Sequence, residues 1–175
     1  MVLELLLRIF GPKRDVEVYS ELRPGRVIAH GTVKAGETQV RSPLKGLTCV
    51  AFYYRAFYKA QARGKTVDRV VKEAEVYAPS FQLEMEGGVL RVVPPKSAPF
   101  EAQEHRALLG RGFHGFQASE QLIRAGSRVA LHGAIVKDAE DLVLKLTQID
   151  LPKSDEEEGG PYRRPEKRRR KKKGR

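Results

Sequence analysis

Residues 42–78 read SPLKGLTCVAFYYRAFYKAQARGKTVDRVVKEAEVYA, and the alternation within them decides the fold. From Val50 to Arg63 the side chains sort into two faces at period two. Val50, Phe52, Tyr54, Ala56, Tyr58 and Ala60 share one face; Tyr53, Arg55, Phe57, Lys59, Gln61 and Arg63 share the other. Strict alternation over such a run describes a strand with one apolar and one mixed face. Gly64-Lys65-Thr66 interrupts the pattern, which resumes at Val67. A three-residue loop there sets Arg55 opposite Glu75 and Tyr54 opposite Val76. A two-residue loop would bring Glu75 against Tyr54 and Glu73 against Ala56, charges on the apolar face. The three-residue loop is therefore the expected one, with Phe52 and Tyr54 in a core.

The same punctuation recurs on either side. GRVIAHGTV, from Gly25, aligns Val27, Ala29, Gly31 and Val33, and a short extended segment is expected before it at Val16 to Tyr19. His30 and His132 each precede a glycine in a β run, which suits a bulge or a close backbone approach. Gln39 to Arg41 resumes an extended run, and Pro43, lacking an N–H, makes SPLKG a corner or edge. Gly87-Gly88 is a tight turn between SFQLEME and VLRVV, closed by Pro94-Pro95. A short helix is expected at Glu101 to Leu109, ended by Gly110. Ser119 reads as the N-cap of a helical turn, EQLIR, ended by Gly126. Ser127 to Ile135 and Asp141 to Ile149 form a last strand pair. Many short strands with little helix predict an all-β fold with minor α, a small, partly open β-barrel of the oligonucleotide-binding (OB) type. The domain is expected over 25–151, after an N-terminal apolar helix within 1–14 and before an acidic-then-polybasic tail at 152–175.

Charge separates these parts. The net +11 of the 175 residues falls mostly on the last fifteen, where ten Lys or Arg meet one acid, Glu166. Residues 1–160 carry only +2. The candidate polyanion-binding residues are therefore Arg163, Arg164, Lys167, Arg168, Arg169, Arg170, Lys171, Lys172 and Lys173, and the partner is nucleic acid or an anionic membrane surface. Asp155 to Glu158 precede them, and a segment so polar cannot offset its ordering entropy, so disorder is expected. At the other end MVLELLLRIF is apolar around most of a helix. It needs burial against the domain or a partner, or in the plane of a membrane. No run approaches the ~20 apolar residues that span a bilayer.

Catalytic patterns are sparse. One cysteine, Cys49, excludes a disulfide within the chain and a multi-cysteine zinc site, and its strand position marks it as a small buried hydrophobe. Of the four histidines, His30, His105, His114 and His132, none has metal-ligand spacing with another His or Cys apart from a loose His105 and His114 pair in a loop. The glycine-rich GRGFHG at 110–115 follows no strand and lacks the Lys-Ser/Thr ending of a phosphate loop. No enzyme, cofactor or metal is expected. Tyr53, Arg55, Phe57 and Lys59, on the mixed face, form a possible binding face, since bases stack on aromatics and cations meet phosphates. Glu73 and Glu75 lie across from them and oppose that use.

The order GRVIAHGTV, SPLKGLTCVAFYYRA, PSFQLEMEGGVLRVVP and EQLIRAGSRVALHGA resembles the GIDE-type, or beside-a-membrane, domain over about residues 25–149. That family includes membrane-anchored RING E3 ubiquitin ligases and prokaryotic relatives. A RING needs a Cys/His set that this chain lacks, and the family's flanking transmembrane helices and a common Trp are missing too. The resemblance implies a non-catalytic module that engages an unknown protein or ligand near a membrane, and the expected location is cytoplasmic, peripheral to a membrane. Two alternatives stay open: an OB-like nucleic-acid-binding protein, and a relative or remnant of a GIDE-family ligase without its RING.

Overall fold

The computed structural model describes residues 12–150, so the expected N-terminal helix and the tail lie outside the described residues. Eleven strands and one helix follow in chain order: β1 (Arg14–Val16), β2 (Gly25–Lys34), β3 (Val40–Arg41), β4 (Thr48–Cys49), β5 (Ala51–Ala62), β6 (Lys65–Tyr77), β7 (Phe81–Met85), β8 (Gly88–Val93), α1 (Ala102–Leu109), β9 (Gln117–Ile123), β10 (Arg128–Asp138) and β11 (Asp141–Asp150). Five of them close a barrel in the order β2-β7-β8-β11-β10 and back to β2. All neighbours are antiparallel except β8 and β11, which run parallel. The fold is thus the small β-barrel expected, closed where partial opening was expected. Closure comes from β7, which pairs with Thr32 to Lys34 at the end of β2.

Two strand pairs of the barrel approach unusually closely. A Cβ on Gly31 would stand 2.3 Å from the Glu84 carbonyl oxygen, and one on Gly133 2.3 Å from that of Lys145. A bulge at His132/Gly133 accompanies the second approach. Both histidine-glycine pairs therefore mark tight corners of the barrel. Where β2 and β7 splay apart, β1 pairs parallel to β2, and Tyr19 donates its N–H to Glu86. This strand lies slightly earlier than the expected Val16 to Tyr19, and Tyr19 begins a short 3-10 turn instead. Val27, Ala29, Val33, Leu83, Leu90, Val92, Leu131 and Leu144 are all buried in the barrel core.

The long hairpin lies outside this barrel. β5 and β6 emerge between β2 and β7, and β9 joins the free edge of β5 to make a separate sheet, β6-β5-β9. Ser119 therefore caps no helix. EQLIR has helix formers, but pairing with β5 supplies partners for a strand whose backbone would otherwise be buried unpaired. Among the described residues, Val50, Ala51, Tyr53, Tyr77 and Ile123 at the sheet's base pack into the barrel core. Its apolar face has a second core: Phe52, Tyr54, Ala56 and Val76 with Phe100, Leu108 and Cys49. The helix forms over Ala102–Leu109 as expected, begun by a Glu101/Glu104 capping box and ended at Gly110.

The loop also differs. Ala62 pairs with Lys65, leaving a two-residue turn of Arg63 and Gly64, both at positive φ (51° and 74°). That turn matches the strand twist, which a looser three-residue loop does not need to do. It would put charges on the apolar face if the register ran unbroken. A bulge prevents this: Ala56 pairs with Lys72 and Phe57 with Val70, so Val71 is the extra residue. Tyr54 faces Ala74 and Arg55 faces Glu73.

Candidate binding surface

The two faces of the appended sheet have different chemistry. Over the apolar face, the Tyr54 ring lies 4.4 Å from that of Phe100, and its hydroxyl is 2.8 Å from His105 Nδ1. SPLKG closes the same face beside β9. The Glu120 carboxylate accepts from Ser42 Oγ (3.0 Å), Leu44 N (3.0 Å) and Lys45 N (2.7 Å), and Ser42 Oγ also receives the Leu47 N–H. The corner thus folds around a carboxylate on a neighbouring strand, and its N–H groups are already engaged.

Burial keeps the Cys49 thiol and the Tyr54 phenol of this layer neutral. It pushes the Cys49 thiol up to about 11, with Glu120 adding, and the Tyr54 phenol up to about 12, again with Glu120 adding. Tyr77 moves the same way, through burial first and then its contact with Tyr53. The unfolded chain ionises such groups near 9 and 10. Stability they contribute is therefore complete below pH 9 and lost as pH rises towards 12. Urea midpoints should stay level through neutral pH and fall steadily above pH 9. A midpoint unchanged to pH 11 would contradict the burial of these groups, as would thiol labelling of native Cys49 at pH 8.

Tyr53, Arg55, Phe57 and Lys59 do share the opposite face. Tyr53 is tied down, its hydroxyl 3.4 Å from that of Tyr77. Arg55 Nε lies 3.3 Å from Glu73 Oε1, and Lys59 Nζ 3.3 Å from Asp68 Oδ1. Phe57 is half-buried opposite Val70. Glu75 stands opposite Tyr53, not opposite Arg55 as the three-residue loop would have it. With Glu73, Glu75 and Asp68 on it, this face holds three acids against two cations and is a poor match for a polyanion. The tail cations from Arg163 to Lys173 lie outside the described residues.

Sequence reasoning missed the cations on the other side. Lys72 pairs with Ala56, Arg69 with Tyr58 and Lys65 with Ala62, which puts all three on the helix-bearing face. An unbroken register would have left Asp68 beside Lys72 and sent Arg69 and Lys65 to the far face. The bulge at Val71 sorts them, and no pattern in the sequence announces it. All three are exposed, and among the described residues none lies within 4 Å of an acid. Lys72 Nζ sits 5.7 Å from the Phe100 ring centroid. Beside them GRGFHG acts as a cover: Phe113 stacks on Tyr58 at 4.9 Å, and the His114 carbonyl accepts the Lys59 N–H.

Two further features lie on the barrel. A cleft of about 250 Å³ opens where β1, β2 and β7 diverge, lined by Glu17, His30, Glu84, Glu86 and Arg128. Glu84 there is held by Lys34 at 2.6 Å and His30 by Asp15 at 3.1 Å. Next to it, Lys13 Nζ reaches His132 Nδ1 (2.9 Å), while His132 Nε2 bonds Asp150 Oδ2 (2.5 Å). One histidine thus joins the two ends of the described chain. Among the described residues no cluster of three or more His, Cys, Asp or Glu side chains could hold a metal, and no helix is long and apolar enough to cross a membrane. Comparison with family models, curated proteins and solved structures finds no match.

Proposed function

We propose that the protein is a non-catalytic binding module held at an anionic membrane surface by the apolar and polybasic segments that flank the barrel in sequence. The observation that carries this reading is the Lys13–His132–Asp150 contact. Lys13 and Asp150 are thus neighbours on the barrel; in sequence the apolar stretch MVLELLLRIF precedes the first, and the polybasic run follows the second from Arg163 onward, after the acids Asp155 to Glu158. An apolar segment and a cluster of cations are two weak membrane signals that become strong together, with each cation near an anionic surface worth about 1 kcal/mol. The resemblance to the GIDE-type domain supports the same setting. The appended sheet, standing off the barrel, is then the part that faces a binding partner.

The test compares the full chain with one ending at Gly160, on phosphatidylserine and phosphatidylcholine vesicles at two salt concentrations. The full chain should sediment with the phosphatidylserine vesicles, more weakly at high salt, and the shorter chain should lose most of that binding. Equal binding by the two chains would refute the role of the tail.

A further inference from the structure

We propose that β6 carries a second, separate polyanion site, a ledge of Lys65, Arg69 and Lys72 that grips the sugar–phosphate backbone of a nucleic acid. The site goes beyond the membrane reading and does not use the tail. Beyond Phe57 the sheet loses β9 and continues as a two-stranded arm. Residues 58–69 of that arm hold four cations and one acid, and that acid, Asp68, is paired with Lys59 on the reverse face. The arm therefore carries +3 of the +5 of residues 12–150, where 21 Lys or Arg meet 16 acids.

Geometry chooses the ligand. Lys65 to Lys72 spans roughly 20 Å at strand rise, about the length of six phosphates along one strand of a duplex. The three cations follow one strand at the open edge of the sheet. The neighbouring strand is roofed by Phe113 on Tyr58, and Phe100 and α1 stand over the base of the sheet. The result is a ledge one strand wide beside a raised wall. A linear row of phosphates can lie along such a ledge, whereas the wall holds a flat bilayer away from it. Arg69 brings a planar fork suited to a phosphate, and the two lysines bring point charges.

The test keeps the full chain and its tail, and titrates a short labelled duplex DNA over a range of salt. Lys65→Gln/Arg69→Gln/Lys72→Gln should weaken binding and flatten the dependence of log K on log salt by roughly 2 to 3 units, about 0.9 for each phosphate no longer neutralised. Arg55→Gln/Lys59→Gln, on the reverse face, should leave the slope unchanged. If removing Lys72 from Phe100 disturbs the fold, Lys65→Gln/Arg69→Gln alone should still flatten the slope, by nearly 2 units. An unchanged slope in both ledge variants would overturn the site. So would equal slope changes in the reverse-face variant, or a loss of phosphatidylserine-vesicle binding with DNA binding intact. Truncation at Gly160 tests the tail separately, so either proposal can fail alone.

Discussion

Tyr54→Ala is expected to unfold the appended sheet, at a cost of ~3 to 5 kcal/mol. The ring is 2% exposed, lies against Phe100, and carries a hydroxyl hydrogen-bonded to His105 Nδ1 at 2.8 Å. Removing it leaves a cavity between sheet and helix, and an imidazole nitrogen without its partner. Phe57→Ala, three residues along β5 on the other face, removes a half-buried ring and should cost far less. Urea unfolding of the two variants measures the contrast, and near-equal losses would refute the two-face assignment. Because the barrel and the sheet have separate cores, Tyr54→Ala should also leave a second transition, that of the barrel.

Gly133→Ala should damage the barrel itself. Its new methyl would stand 2.3 Å from the Lys145 carbonyl oxygen and 2.9 Å from Leu144 Cδ1. Neither backbone can withdraw without breaking the β10–β11 ladder, so the loss should reach the upper end of the ~1 to 3 kcal/mol typical of overpacking. Gly110→Ala is the control. That residue ends α1 at φ −64°, and its Cβ would meet nothing closer than 3.6 Å. It should stay within ~0.5 kcal/mol of the parent. Thermal melts in which both substitutions behave alike would show that the close approach is not real.

Local chemistry was legible wherever a short segment carries its own reason. The two faces of β5, the Gly87 turn, the capped helix at Ala102–Leu109 and the buried Cys49 each follow from period, turn residues or capping within a few positions. The glycines after His30 and His132 also announced a close backbone approach.

What depended on partners distant in sequence was not legible. EQLIR is a strand because β5 has an edge to fill, although its own residues suit a helical turn. Likewise, SPLKG owes its shape to Glu120, more than seventy residues away. The sharpest case is β6. Its sequence determined that Lys65, Asp68, Arg69, Lys72 and Glu73 would be exposed, since none can be buried unpaired. Only the tertiary structure decided which of them stand together. One bulge at Val71 reverses the parity of everything beyond it, and sends the cations to one face and the acids to the other. Side-chain direction in a strand has period two, so a single extra residue inverts it, and whether that residue is accommodated depends on the facing strand and the layer packed upon it.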